Sequence, residues 1–98
     1  MFPKPEPQRR AKARAKRQQA KRTHLVRMYV FAREANRCRV CAQPATELHE
    51  LRFRSLGGQI STRNSVACCH QCHSRLHRHD LIAVGADADS PRLTFRPR

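Results

Sequence analysis

Two pairs of cysteines have the spacing of a metal site. Cys38 and Cys41 form one C-x-x-C pair, and Cys69 and Cys72 form a second pair. Two residues between ligands allow both sulfurs to reach one ion, and four thiolates suit tetrahedral zinc. Cys68 lies outside this register and is expected to be a small buried residue. The sequence therefore predicts a structural zinc ion held by the two pairs.

The number of cysteines also indicates a cellular compartment. The chain has five cysteines, an odd number, and four of them fall into the two pairs. This usage suits a metal site in a reducing environment better than a disulfide framework. We therefore expect an intracellular, cytoplasmic protein.

A second group of potential ligands lies between the cysteine pairs and just after them. His49 and Glu50 are adjacent, Asn64 follows, and His73 and His77 come after the second pair. Four residues of separation on a helix place both imidazoles on one face, where they can share an ion. Each of these residues also has an ordinary explanation, such as a half-buried strand position, a surface charge or a turn. Their order and spacing make the group a candidate site.

About 40 of the 98 residues closely resemble the zinc-knuckle branch of the HNH endonucleases, which is often found in phage and bacterial genomes. The stretch reads CRVCAQPATELHELRFRSLGGQISTRNSVACCHQCHSRLH and includes the loop RSLGG, from Arg54 to Gly58. The resemblance implies an α+β fold. It consists of a small ββα-metal (HNH) unit stapled by a four-cysteine zinc knuckle, preceded by a helix and a basic N-terminal arm.

The resemblance also implies roles for individual residues. His49 resembles the first member of the family's active pair, which is usually a ligand of the catalytic divalent ion. Asn64 resembles the Asn that steadies the loop and, in some members, touches the metal. His73 and His77 resemble the helix ligands. Glu50 departs from the family, because many members have the general-base His at this position.

Two assignments of roles to the adjacent pair remain open. Glu50 could deprotonate or orient the attacking water, or Glu50 could bind the metal while His49 acts as the base. The position of Glu50, which matches that of the general-base His in the family, favours the first assignment. The preference of Mg²⁺ and Mn²⁺ for carboxylate, and of a base near neutral pH for imidazole, favours the second. The candidate catalytic residues are His49, Glu50, Asn64 and His73.

The implied activity is hydrolysis of phosphodiester bonds in nucleic acid, with DNA nicking expected and Mg²⁺, Mn²⁺ or another divalent ion as the catalytic cofactor. Two other classes of function compete with it. One is a zinc-stapled nucleic-acid-binding module without catalysis. The other is a structural partner of a larger phage or bacterial nucleoprotein machine.

The charge of the chain indicates a polyanionic partner. The formal net charge is +14 and the isoelectric point is about 11.4. Such an excess favours nucleic acid. Double-stranded DNA is the expected form, although the charge does not distinguish DNA from RNA. A membrane is not expected, since no stretch of 18 apolar residues occurs and the N-terminus has no apolar signal region. Candidate phosphate contacts are Arg52, Arg54, Arg63 and Arg75, with Arg9, Arg10, Lys12, Arg14, Lys16 and Arg17 in the arm.

Two parts of the chain are distinguished by composition. Residues 1–22 are rich in Pro, then in Ala, Lys, Arg and Gln, which predicts a disordered or frayed helical arm that becomes helical on a phosphate backbone. Residues 23–98 are expected to form the HNH domain, with Thr23 as a helix N-cap. Five apolar residues at helical spacing are expected to pack inward: Leu25, Met28, Tyr29, Ala32 and Ala35. Phe31 is also expected to pack.

The remaining elements are short. TELHELRF is a candidate strand, an apolar SVA piece leads into the second cysteine pair, and a helix is expected from His73 to about His79. Two further strands are expected at 81–84 and 92–96, joined by a Gly/Asp/Ser/Pro turn. Only five aromatic residues are present, so a structural metal is expected to supply stability that the apolar core lacks.

Overall fold

The computed structural model describes residues 7–53, 57–85 and 87–98. These residues form an α+β fold with two helices and two small antiparallel sheets. The elements in chain order are α1 (Gln8–Arg33), β1 (Glu47–Glu50), β2 (Ser65–Cys68), α2 (His70–His77), β3 (Leu81–Val84) and β4 (Thr94–Pro97). Strand β1 pairs with β2, and β3 pairs with β4. The expected α+β class is confirmed.

The hairpin of β1 and β2 separates the two helices. His49 lies opposite Val66 in the register of the pair. Side chains alternate between the faces of a strand, so Leu48 and His49 point to opposite sides. Leu48 packs against the apolar cluster that includes Val26 and Val30 of α1. His49 faces α2, and the hairpin therefore presents one face to each helix.

Helix α1 is continuous and begins much earlier than Thr23. Its N-cap is Pro7, and the helix runs for 26 residues to Arg33. The prediction of an N-cap at Thr23 is wrong, because the Thr23 hydroxyl donates to the carbonyl of Gln19, four residues earlier, within the helix. Strong helix formers in the preceding segment allow the helix to extend without a break from its packed part. The expected division into an arm and a domain at this point remains a prediction.

The face of α1 that packs is not the expected one. Val26 and Val30 are buried, and Phe31 is partly buried beside them. The residues expected to pack are exposed instead. Leu25 is 65% exposed, Met28 58% and Tyr29 53%, and Ala32 and Ala35 are exposed as well. Both faces carry apolar residues at helical spacing, so periodicity alone does not decide between them. The small β-branched valines sit against the hairpin.

An ion-pair network fixes the end of α1. The side chain of Glu34 is only 5% exposed and accepts hydrogen bonds from both Arg33 and Arg39 at 2.9 Å. Arg33 also donates to the carbonyl oxygens of Thr62 and Ser65. Arg39 donates to two carbonyl oxygens of the segment between β3 and β4. A buried carboxylate requires such partners, and these ties orient α1 on the hairpin.

Helix α2 starts three residues earlier than expected and ends at His77. Its N-cap is Cys69, whose sulfur accepts from the backbone N–H of Cys72. The chain then turns at His79, which has a positive φ of 62°. Strand β3 occupies the expected residues, and β4 is displaced toward the C-terminus from the expected 92–96.

Most of the core lies between the hairpin, α2 and β3. Val66, Leu76 and Leu81 are buried there, together with three of the cysteines. Among the described residues, no helix is both long and apolar enough to cross a bilayer.

Candidate metal centres

Four cysteine sulfurs converge at one end of the hairpin. The Sγ atoms of Cys38, Cys41, Cys69 and Cys72 all lie within 4.8 Å of one another. The first pair lies in a tight turn closed by a hydrogen bond from Ala42 N to Cys38 O, and Ala42 has a φ of +65°. The second pair lies at the start of α2. The four cysteines can therefore hold one metal ion, and an all-sulfur set matches the chemistry of zinc.

The thiols differ in how readily they ionise. Burial opposes ionisation at Cys38, but backbone N–H groups, led by that of Cys69, stabilise the thiolate and lower its pKa to about 7. Burial raises the pKa of Cys72 and of Cys68. Cys68 is fully buried in β2 and lies outside the four-sulfur group, which confirms the expected small buried residue.

Three imidazoles converge beside the later turns of α2. The ligand nitrogens of His49, His73 and His77 lie within 4.8 Å of one another. The Nε2 atoms of His73 and His77 are 3.1 Å apart, which places both on one helix face as their spacing predicted. His49 comes from β1, with its ring centroid 5.2 Å from that of His73. Residues distant in sequence therefore form a three-nitrogen cluster suited to a divalent ion.

Glu47 fixes the orientation of one of these rings. Its Oε1 lies 2.8 Å from Nδ1 of His73, and its Oε2 lies 2.9 Å from Nδ1 of His70. The hydrogen bond from His73 is the main reason that the pKa of Glu47 is lowered. With Nδ1 of His73 bonded to a carboxylate, Nε2 is left to face the cluster. A carboxylate behind a histidine ligand is a common arrangement in metal sites.

The sequence analysis missed Glu47, although a signal was present. Glu47 precedes His49 by two residues on a strand, so both side chains project from the same face. That alternation is visible in the sequence once β1 is recognised. A carboxylate on the ligand face could therefore have been named before the structure was known.

His49 is the most enclosed member of the cluster. It is 4% exposed, and burial, followed by repulsion from His73 and His77, lowers its pKa to about 4. The ring is therefore neutral at physiological pH, which is the form that binds metals. Its Nδ1 is buried and has no hydrogen-bond partner among the residues that the structure describes. A buried ring nitrogen that no other group satisfies fits a site made to hold a ligand.

The side chain of Asn64 forms hydrogen bonds with the backbone of the loop that follows β1. Its Oδ1 accepts from the backbone N–H of Arg52 at 2.8 Å, and its Nδ2 donates to the carbonyls of Arg52 and Gln59 at 3.0 Å. Both amide hydrogens are thereby used. The same loop brings Gly58 so close to Arg52 that a Cβ atom at this position would overlap the Arg52 carbonyl oxygen. Asn64 and Gly58 together hold the loop against the hairpin.

Glu50 is not a member of the three-histidine group. It lies on β1 next to His49, and strand alternation directs the two side chains to opposite faces. The structure therefore brings together three of the expected ion ligands and does not add Glu50 to them.

The candidate phosphate contacts are in different environments. Arg63 is exposed and forms an ion pair with Asp87 at 2.8 Å. Arg75 lies on α2 beside a shallow surface pocket, and Arg52 is exposed in the loop after β1. Arg54 lies outside the described residues. The six basic residues of the arm are all exposed on α1, where they are accessible to a polyanion: Arg9, Arg10, Lys12, Arg14, Lys16 and Arg17.

Comparison with protein-family models, curated proteins and solved structures found no match. Function is therefore inferred from the two ligand clusters and from the charge of the chain.

Proposed function

We propose that the protein is a metal-dependent endonuclease of the HNH type that nicks DNA. One observation carries the proposal, namely the convergence of His49, His73 and His77 from a strand and a helix into one cluster. Three nitrogen ligands leave further coordination positions for a substrate, as catalytic metal sites require. The cysteine cluster has four ligands and is complete, which is typical of a structural site.

The chemistry of the ligand atoms indicates which ion each cluster would hold. Cys38, Cys41, Cys69 and Cys72 would hold a structural zinc, and the three histidines would hold a divalent ion. Imidazole is a better ligand for first-row transition metals than for Mg²⁺, and affinity at such a site rises from Mn²⁺ toward the later ions of the row. When bound, the ion stabilises negative charge on the phosphodiester and on its leaving oxygen.

The surrounding residues prepare the cluster for that role. Glu47 holds the His73 ring by its Nδ1 atom, and burial keeps His49 neutral by lowering its pKa. Asn64 clamps the loop that follows the ligand strand. These contacts support the assignment of His49 as a ligand. No base is assigned among the described residues, because strand alternation directs the side chain of Glu50 to the face opposite His49.

Electrostatic attraction supports nucleic acid as the substrate. The net charge is +14, and the N-terminal two-thirds of α1 is largely exposed and strongly basic. Contacts of Lys and Arg with phosphates release counterions and provide affinity without reading sequence. The arm therefore delivers DNA to the histidine cluster in this proposal.

A nicking assay on supercoiled plasmid tests the proposal. The zinc-loaded protein is mixed with plasmid in the presence of Mn²⁺, of Mg²⁺, or of no added divalent ion. We expect nicking that depends on the added ion and is lowered about a hundredfold or more in His49→Ala and His73→Ala.

His24→Ala is the matched control, because His24 is an exposed histidine on α1 outside the cluster. Its nicking rate should equal that of the wild type. Wild-type rates in both His49→Ala and His73→Ala would refute the proposal.

The second candidate is a zinc-stapled module that binds nucleic acid without cutting it. The specific observation in its favour is the long basic helix, which needs no catalytic site to bind phosphates. Tight, salt-dependent DNA binding without ion-dependent nicking would establish this function instead.

A further inference from the structure

A hollow of about 230 Å³ opens beside the histidine cluster. Its floor is formed by Leu76, Leu81 and His49, all of which are buried. Its rim includes Ala83 of β3, which is exposed. The hollow is smaller than the cavities of about 300–1,000 Å³ that hold drug-sized ligands. Its size suits one planar ring system.

Two rings at the edge of the hollow give it an aromatic character. Phe53 and His79 both line it. The Phe53 ring stacks on His77, with centroids 5.3 Å apart and an angle of 11° between the planes. The same Phe53 ring meets His49 edge-on at 5.8 Å. Phe53 therefore contacts two members of the cluster and also the hollow, and so connects the two places.

We propose that the hollow binds a single nucleobase, on the nucleotide whose phosphate lies at the histidine cluster. The proposal rests on the proposed nuclease function. A nucleobase is flat, has polarisable faces and stacks on aromatic side chains. In a nucleotide the base is joined to the phosphate through one sugar, so a base bound in the hollow keeps its phosphate close by, and the strongly positive chain attracts phosphates.

The proposal has a consequence for the class of substrate. A base within a duplex is stacked and must leave the stack before it can enter a protein pocket. The energy required is lowest for a base that is already mismatched or single-stranded. The enzyme should therefore cut faster at mismatched or unpaired positions than at fully paired ones.

Nuclear magnetic resonance of the zinc-loaded full-length protein tests the hollow without cleavage. The methyl signals of Leu76, Leu81 and Ile82 are followed during titration with deoxyadenosine 5′-monophosphate, with deoxyribose 5-phosphate as the comparison. We expect the nucleotide to shift these methyl signals and to bind about tenfold more tightly than the sugar phosphate.

Ala83→Trp should fill the hollow and remove the preference for the nucleotide. Thr94→Trp is the matched control, because Thr94 is exposed on the paired strand β4 and does not line the hollow. This variant should retain the preference. Zinc content measured for both variants establishes that each is folded.

Equal binding of nucleotide and sugar phosphate would overturn the proposal, and so would an unchanged preference in Ala83→Trp. Failure of the nuclease proposal appears separately, as absent plasmid nicking. In protein that nicks, loss of the preference for mismatched over paired DNA in Ala83→Trp supports base binding. An unchanged preference contradicts it.

Discussion

The cysteine cluster and the histidine cluster lie on the same short helix but are built differently. Cys69 and Cys72 occupy the start of α2, and His73 and His77 occupy the turns that follow. The cysteine cluster combines two local pairs and has four ligands, whereas the histidine cluster combines one strand residue with two helix residues. Four ligands complete a tetrahedral shell, and three leave it open. The first arrangement is suited to stability and the second to chemistry.

Removing a cysteine should have the largest effect in the molecule. Cys72→Ser should lose the zinc and unfold, because structural zinc contributes about 10–16 kcal/mol in small domains, as much as a whole domain's stability. Elemental analysis should find about one tightly held zinc per chain in the wild type and none in the variant. Circular dichroism should report the loss of structure.

Cys68→Ala is the matched control for the cysteine prediction. Cys68 is fully buried next to Cys69 but does not belong to the four-sulfur group. This variant should keep its zinc and lose only about 1 kcal/mol through a small cavity. A folded Cys72→Ser protein without zinc would remove the contrast between the two clusters.

Removing the carboxylate behind His73 should affect the open cluster alone. Glu47→Gln should weaken Mn²⁺ binding by about 10- to 100-fold, since a neutral amide is a weaker acceptor for the ring N–H. Calorimetric titration of Mn²⁺ into zinc-loaded protein measures this change. Zinc content and fold should stay as in the wild type.

Glu50→Gln serves as the comparison for Glu47→Gln, because Glu50 lies outside the three-histidine group. Its Mn²⁺ affinity should be close to that of the wild type, because strand alternation directs its side chain away from the face that carries His49. An equal loss of Mn²⁺ affinity in both variants would instead assign Glu50 to the ion, the second of the two roles considered for it.

The smallest effect is expected for charges on α1, which should leave both clusters intact. Replacing Lys12 and Lys16 with Ala keeps good helix formers and removes two charges. The slope of log affinity for DNA against log salt should become shallower by up to about 2, because each phosphate that a lysine neutralises contributes about 0.9 to the slope. Sequence preference should not change. Gln18→Ala, a neutral change on the same helix, should leave the slope as it is.

The two clusters also differ in how far they could be predicted. Both cysteine pairs and the spacing of His73 and His77 are local patterns, and the structure brings their atoms together as expected. The grouping of His49 with His73 and His77 could be predicted only from the family resemblance. No local pattern relates a residue on a strand to a helix that follows it much later in the chain. Strand alternation could have placed Glu47 on the same face as His49, but its contact with His73 on α2 could not be read from the sequence.

Helix α1 shows why other parts of the fold could not be predicted. Leu25 and Met28 have the same helical periodicity as Val26 and Val30, and the choice between the faces is made by tertiary contacts with the hairpin. Arg33, Glu34 and Arg39 look like ordinary surface charges in the sequence, yet they form a largely enclosed network. Contacts between residues far apart in the sequence therefore decide which face of α1 packs and which charged residues become enclosed.

The capping of α2 by Cys69 implies an order in which the two sites load during folding. The sulfur that joins the four-cysteine group also accepts from the backbone N–H of Cys72, at the first turn of the helix that carries His73 and His77. A helix of eight residues does not persist alone in water. The imidazoles are therefore expected to meet only after the thiolates have gathered, so an ion at the four cysteines would bind before an ion at the three histidines. Under the proposed function, a newly made chain in a zinc-poor cell would not nick DNA, whatever its supply of manganese.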